Sequence, residues 1–371
     1  MKIAVIGIGG TGSAACRHLA KAGHRVVGYE QFRVGHLRGS SHGESRIIRH
    51  AYADPVYTRL MGDAYPLWVG LEAEAGEELF VRCGGLLIAP QGHDDLRETR
   101  ESVLSAGLPM EELTPDEIRA RFPAFRLEAD EVALYQKDGG FLRATRCVRA
   151  QARISADEGA IFREETPVLG IDTVNGKPVV RTNDGGAEMF DGVVVTAGAW
   201  MGKLLREWKL ALVVERRQVV YLEITRSPEN FAPERFPVWI DARTLYYGFP
   251  DDGVVAGVKL ASHIAGYEVD PDTDGREPEA DVIAEAVSIA SRRFPDLSDR
   301  VSFSQVCLYT NTANEDFILD YVPGLPNVFL VSGCSGHGFK FTVLLGKIAA
   351  DAVTGNPYPG DLSRFALSRF V

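Results

Sequence analysis

A glycine pattern, Gly7-Ile8-Gly9-Gly10-Thr11-Gly12, follows the apolar run Ile3-Ala4-Val5-Ile6 and precedes a helical stripe of Ala14, Ala15, His18, Leu19 and Ala22. A second apolar run, Arg25-Val26-Val27-Gly28-Tyr29, ends in Glu30. Strand, glycine turn, helix and strand in that order form a βαβ unit whose glycines have separate tasks. Gly7 permits the tight turn, Gly9 lets a pyrophosphate approach the backbone, and Gly12 lets the helix pack closely. Amides of Gly10 and Thr11 at the helix start face phosphate, and Glu30 accepts hydrogen bonds from ribose hydroxyls. The chemistry is dinucleotide binding, and the pattern alone does not separate NAD from FAD.

The segment Gly39-Ser40-Ser41-His42-Gly43-Glu44-Ser45-Arg46-Ile47-Ile48-Arg49-His50 sets two arginines and two histidines among turn formers soon after Glu30. A guanidinium forks onto two oxygens, so such a cluster suits a carboxylate or a phosphate. Its plain alternative is a pair of surface salt bridges. Lys259 sits in the β-rich run Val254-Val255-Ala256-Gly257-Val258-Lys259-Leu260, where the default is an ammonium facing solvent. Cys307 in Val306-Cys307-Leu308-Tyr309-Thr310 and Lys340 in His337-Gly338-Phe339-Lys340-Phe341 are, singly, no more telling. The eight histidines show neither His-x-x-x-His nor a carboxylate-histidine spacing, so no metal site is expected.

These residues need a frame to bring them together. Three segments end a strand on a glycine turn before a helix: residues 3–12, the stretch Val193-Val194-Val195-Thr196-Ala197-Gly198-Ala199-Trp200, and a strand at 328–332 that enters Ser332-Gly333-Cys334-Ser335-Gly336-His337-Gly338. Leu344, Ile348 and Val353 then give the closing helix. Between them the spacing predicts a helix through Tyr57, Leu60, Met61, Tyr65, Leu67 and Leu71, and a capped helix start at Thr114-Pro115-Asp116-Glu117. Asn175-Gly176 and Asp184-Gly185-Gly186 suit hairpins, residues 211–270 read as strands, and a helix at 278–294 precedes strands near 301–309 and 316–321. An α/β chain whose Rossmann-like parallel-sheet domain is interrupted by a second domain, with a mixed or antiparallel sheet, explains this order. Residues 1–80, 141–210 and 311–371 are assigned to the cofactor domain, 81–140 and 211–310 to the substrate domain.

The 371 residues are enough for two domains with sizeable cores. Apolar residues at 45% and charged residues at 25% exclude a disordered chain. With 40 basic and 51 acidic residues the net charge is −11, which argues against nucleic acid because phosphate neutralisation needs a basic face. A local basic pocket is compatible with that sum. No apolar run approaches the ~20 residues that cross a bilayer. The first residues read as a strand rather than a leader, so a cytoplasmic protein is expected. The five cysteines are widely spaced, lack a Cys-x-x-Cys pair, and are expected as free thiols. Each is by default a small buried hydrophobe.

Taken together, Gly-Ile-Gly-Gly-Thr-Gly at 7–12, Ser-His-Gly-Glu-Ser-Arg-Ile-Ile-Arg-His at 41–50, Cys-Leu-Tyr-Thr at 307–310 and Ser-Gly-His-Gly-Phe-Lys-Phe at 335–341 resemble the monomeric sarcosine oxidase and N-methyltryptophan oxidase family. These are flavoenzymes of the D-amino-acid oxidase superfamily, and the resemblance covers nearly the whole chain in the expected order. It implies a D-amino-acid oxidase-like fold and FAD attached through a thioether at Cys307. It further implies that Arg49 and Lys340 bind the substrate carboxylate, that Tyr309 faces the substrate, and that Arg46, with Ser41 and His42 nearby, lies against the flavin. Lys259 would activate oxygen, flanked by His263 and Tyr247. Ala197, Gly198, Gly336 and Gly338 would contact the cofactor, and Val168 would mark a strand passing its adenine. The implied reaction oxidises a secondary-amine amino acid with O2, giving an imine that water hydrolyses, and H2O2; the implied enzyme is a monomer.

Two departures from the family pattern bear on the substrate. Asp241-Ala242-Arg243-Thr244 is shorter than in typical sarcosine oxidases, and Val254-Val255-Ala256 replaces a glycine-rich approach to the lysine. Placed near the substrate cavity, both leave larger N-methyl amino acids and cyclic imino acids such as proline or pipecolate as alternatives to sarcosine. A nicotinamide-dependent dehydrogenase would share the first glycine turn and Glu30 but gives no reason for the Cys307 and Lys340 motifs.

Overall fold

In the computed structural model, which describes residues 1–264 and 266–371, the first strand, Lys2–Ile6, lies inside a six-stranded sheet. The order is Ile318–Tyr321, Val328–Ser332, Gly192–Val195, Lys2–Ile6, Arg25–Tyr29, Ile161–Arg163, and every pair is parallel except the outermost Ile318–Tyr321 with its neighbour. Covered on both faces, the central strands are written as unbroken apolar runs instead of alternating ones. Helix Gly10–Lys21 packs against both Ala144–Asp157 and Thr342–Val353 beside this sheet. A Cβ at Gly346 would stand 2.5 Å from Ala14 Cβ and 2.6 Å from Thr11 O, so the close approach of the first and last helices requires glycine there.

The second sheet has eight strands in the order Leu297–Asn311, Val213–Ile224, Val258–Ser262, Tyr246–Phe249, Val238–Asp241, Gly85–Pro90, Glu131–Gln136, Glu111–Leu113. It is mixed, with one parallel pair, Val238–Asp241 beside Gly85–Pro90. Its core is aromatic: Phe125, Phe231, Phe236, Trp239 and Phe294 are all buried, each contributing roughly 1.5–3 kcal/mol of transfer free energy. Arg293, at the end of helix Ala280–Arg293, meets Glu131 at 2.6 and 3.0 Å and Asp241 at 2.8 Å, a buried triad that pins the helix to two strands.

Local chemistry explains several boundaries. Thr114 and Glu117 form the reciprocal capping box, and Asn175 and Gly176 both take positive φ in a two-residue turn joining Val168–Val174 to Lys177–Thr182. Helix Pro55–Ala75 starts where the Asp54 side chain accepts from Val56 N at 2.9 Å and stops at left-handed Gly76. The stretch after Val195 yields less helix than expected: a 3-10 turn, Gly198–Trp200, and one turn, Met201–Leu204. Trp200 and Lys203 there both bond to Asp272, engaging their side chains with a distant segment. No helix among the described residues is long and apolar enough to cross a membrane.

Candidate active site

The carboxyl ends of the parallel strands open onto a cleft whose opposite wall is the eight-stranded sheet. Ile6, Tyr29, Thr196 and Ser332 line it from one side, and Val219, Tyr247, Lys259 and Cys307 from the other. A ligand crevice beyond the carboxyl ends is where open α/β sheets place their cofactors. The cleft has about 1940 Å³ of free space, its mouth included.

At one end stands the glycine turn. Gly7 has φ 89°, and a Cβ on it would lie 2.6 Å from Thr196 O. A Cβ on Gly12 would fall 1.9 Å from Gly7 O, so that glycine serves the packing of turn on helix and does not itself line the cleft. Ser41 Oγ accepts from Gly10 N at 3.0 Å, while the start of helix Gly10–Lys21 has no side-chain cap. Glu30 accepts from Ile8 N at 2.9 Å and Phe32 N at 3.0 Å, which fixes its carboxylate at the edge of the cleft. Ser332 Oγ and Thr310 Oγ1, buried on the wall, have no partner among the described residues. Glycine cradle, a helix start whose Gly10 amide is met by Ser41 while Gly9 brings no side-chain cap, ribose-side carboxylate and waiting hydroxyls fit FAD.

The other end is cationic. Arg46, Arg49, Lys259 and Lys340 line the cleft, and Glu30 is the one carboxylate residue among its described lining. None of the four pairs with an acid among the described residues, which sets aside the surface salt-bridge reading of the two arginines. Arg46 donates to Ser45 O at 2.9 Å and Ser40 O at 3.1 Å; Arg49 lies over the Tyr52 ring at 4.4 Å. Lys259 departs from its solvent-facing default. Strand pairing sets it between Tyr221 and Phe249, and its 3% exposed side chain donates to Ser45 O at 2.8 Å and Ser45 Oγ at 3.1 Å. Burial first, and then Arg46, push its pKa down to about 7. Lys340 is buried too, and burial followed by Arg49 holds it well below the usual ammonium value.

Between the cations lies an aromatic wall. Tyr247 and Tyr309 share a hydrogen bond at 3.1 Å, and the His263 ring lies tilted 4.8 Å from the Tyr247 ring. His263 is exposed on the cleft side, and loss of solvation there, followed by the charges of Lys340 and Arg49, lowers its pKa. Gly336, at φ 74°, makes room for Tyr309, since a Cβ there would meet the ring at 2.0 Å. Cys307 is 7% exposed and lines the same cleft. No two of the five cysteines are joined in a disulfide.

Thus Gly7, Gly9, Gly10, Thr11, Glu30, Ser41, Arg46, Arg49, Val168, Ala197, Gly198, Tyr247, Lys259, His263, Cys307, Tyr309, Gly336, Gly338 and Lys340 share one cleft. His42 is a correction: it is buried behind the wall, not on it, with both ring nitrogens unpartnered among the described residues. The two departure segments are another. Neither 241–244 nor 254–256 lines the cleft; Asp241 turns inward to Arg293 and to the amides of Arg243 and Thr244, and the wall is made instead by Ile240 and Tyr247. Sequence reasoning missed Tyr52, Phe249 and Arg217. Phe249 sits 4.5 Å from Lys259 Nζ, and Arg217 stacks at 4.8 Å on Tyr309. A charged residue inside the long strand Val213–Ile224 was the available signal for Arg217.

Comparison with known proteins matches residues 2–352 to the family described as FAD dependent oxidoreductase. The monomeric sarcosine oxidase of Streptomyces avermitilis is 35% identical over 95% of this chain and 94% of its own. The N-methyl-L-tryptophan oxidase of Yersinia pestis is 33% identical over 99% and 98%. Among solved structures, an unusual amino acid oxidase essential for nikkomycin biosynthesis superposes with TM-score 0.86 at 22% identity, over 98% of this chain and 96% of that one, a likeness of fold. The cofactor left open by the glycine turn is therefore FAD, and the nicotinamide alternative falls. The chain belongs to the FAD-dependent oxidoreductases, in the family of the monomeric sarcosine oxidases and N-methyltryptophan oxidases.

Proposed function

We propose that this enzyme oxidises an α-amino acid bearing a secondary amine, an N-methyl amino acid such as sarcosine in the first instance, with O2 as final acceptor. The observation that carries this reading is the set of unpaired cations, Arg49 and Lys340, facing an aromatic wall in one cleft. FAD, held by the glycine turn and by a thioether at Cys307, would accept the electron pair from the C–H bond and pass it to O2. Arg49 and Lys340 would grip the carboxylate, with charge-assisted hydrogen bonds worth roughly 1.5–3 kcal/mol each, and so orient the carbon beside the nitrogen. The surrounding positive charge disfavours a third cation, so a substrate ammonium entering the cleft gives up its proton more readily. Tyr247 and Tyr309 would limit water and pack the alkyl groups. Lys259 would supply a positive charge where oxygen becomes an anion. The division of the chain into a cofactor domain and a substrate domain at the boundaries above is part of the same reading.

A peroxidase-coupled screen of N-methyl, cyclic and primary amino acids tests it. Secondary-amine amino acids should yield H2O2, and N-methylalkylamines without a carboxylate should not. Equal turnover of amines with and without the carboxylate overturns the proposal. A cyclic imino acid presents the same carboxylate and secondary nitrogen, and the screen reads it alongside the N-methyl series.

A further inference from the structure

Lys340 is braced by a hydrogen-bond chain that ends near the surface. Its Nζ donates to His337 O at 2.8 Å and to the Tyr52 hydroxyl at 2.9 Å. That hydroxyl lies 3.2 Å from His337 Nδ1, and His337 Nε2 lies 3.0 Å from the carbonyl of Glu315. A carbonyl only accepts, so Nε2 carries the ring proton and Nδ1 is a bare acceptor. The phenol must then donate to Nδ1, and its oxygen is left to accept from Lys340. Each link dictates the next. An ammonium has three N–H groups, two are committed here, and one is left for the cleft.

The same phenol serves the second cation, because Arg49 lies over its ring face at 4.4 Å. His337 is itself wedged, stacked on Phe317 at 4.9 Å and edge-on to Tyr57 at 5.0 Å. The chain closes on a backbone carbonyl, which can pass no proton onward, so it orients groups and does not conduct protons. Among the described residues, the charged or titratable groups facing Lys340 are Tyr52, Arg49, Cys334, His263 and His337. Burial and Arg49 disfavour the ammonium, and the Tyr52 oxygen offsets part of that by accepting from it.

We infer that Tyr52 and His337 are positioning residues for the carboxylate site: they aim Lys340, keep it charged, and seat Arg49 beside it. This rests on the reading of Arg49 and Lys340 as the carboxylate-binding pair. The test is titration of the holoenzyme with acetate, followed by the flavin absorbance change across pH. Binding needs the ammonium, so it is lost as pH rises through the Lys340 pKa. Tyr52→Phe keeps the ring under Arg49 and removes the acceptor. It should raise Kd at neutral pH about tenfold and move the falling limb about one unit to lower pH. His337→Leu should do the same. His337→Asn, whose amide oxygen can replace Nδ1 as the phenol's acceptor, should restore the limb and bring Kd within about threefold of the unmodified enzyme. Uniform weakening with the limb in place, or an Asn variant no better than Leu, overturns the inference and leaves the carboxylate reading standing. Lys340→Met that binds acetate as well as the unmodified enzyme overturns that reading itself.

Discussion

Replacing Lys259 by Met removes a charge while keeping an unbranched apolar stem in the strand Val258–Ser262. The ammonium is buried, held by Ser45 O and Oγ, and lies 4.5 Å from the Phe249 ring centre. With a pKa pushed down to about 7, it is charged in roughly half of the molecules at neutral pH. An anion developing beside it draws a proton onto the amine and is stabilised in turn. At ~6 Å with an effective dielectric of ~20, one unit charge stabilises another by about 3 kcal/mol, or roughly 100-fold in rate. Lys259→Met should therefore slow the reaction of the reduced enzyme with O2 by about two orders of magnitude, and its anaerobic reduction by substrate less than about fivefold. The pH dependence follows from the sign of the shift. The effective form is the protonated one, so the oxygen step of the unmodified enzyme is fastest below pH 7, falls as pH rises through that value, and becomes flat in the Met variant. Stopped-flow mixing separates the two half-reactions. Equal losses in both, or a pH limb that survives the substitution, refutes the assignment.

Cys307→Ser should release the yellow colour into the supernatant on acid precipitation, where the unmodified protein keeps it in the pellet; colour in the supernatant of both means no thioether. Gly12→Ala places a Cβ 1.9 Å from Gly7 O and 2.6 Å from Thr196 Oγ1. Since the turn has to move, flavin content per protein should fall severalfold, and full occupancy would show the cradle to be more tolerant than its geometry implies. Arg293→Met leaves two carboxylates that are each 1% exposed, Glu131 and Asp241, without their buried guanidinium, Glu131 keeping only the 3.9 Å contact to Arg243 as an ion pair, at a cost of about 3–5 kcal/mol. The melting temperature should drop by roughly 5 °C with little change in substrate KM, and a severalfold rise in KM would place the triad in the site.

What was legible in the sequence was local or linear. The first βαβ unit declares itself because parallel strands are apolar throughout and the turn glycines are required by contacts as short as 1.9 Å. The capping box at Thr114 and the Asn175-Gly176 turn are equally local. Burial of Lys259 was not legible from periodicity, because it depends on Ser45, 214 residues away, arriving opposite it. Tyr52 carries no motif at all. Its importance arises from the fold, which sets one ring beneath Arg49, Lys340 and His337. His42 misled for the opposite reason, since residues 39–41 and 46–47 line the cleft while 42–45 between them do not.

The opposition between an acidic chain and a cationic cleft has a physical logic. Charges buried without partners are costly, and carboxylates would be the obvious remedy in a protein with 51 acidic residues. Here the cleft uses neutral acceptors instead: Ser40 and Ser45 carbonyls for Arg46, Ser45 for Lys259, and the Tyr52 hydroxyl and His337 carbonyl for Lys340, with the Tyr52 ring under Arg49. A carboxylate partner would satisfy each cation permanently and leave nothing for a ligand. Neutral acceptors fix position and leave charge unspent, at the expense of a lowered pKa on both lysines. That lowered pKa makes the charge state of the cleft responsive to what enters it, because a bound anion restores the proton that burial removes. On the proposed assignment of these residues, binding the carboxylate and activating oxygen would be two uses of one design, in which the anion recruits its own counter-charge.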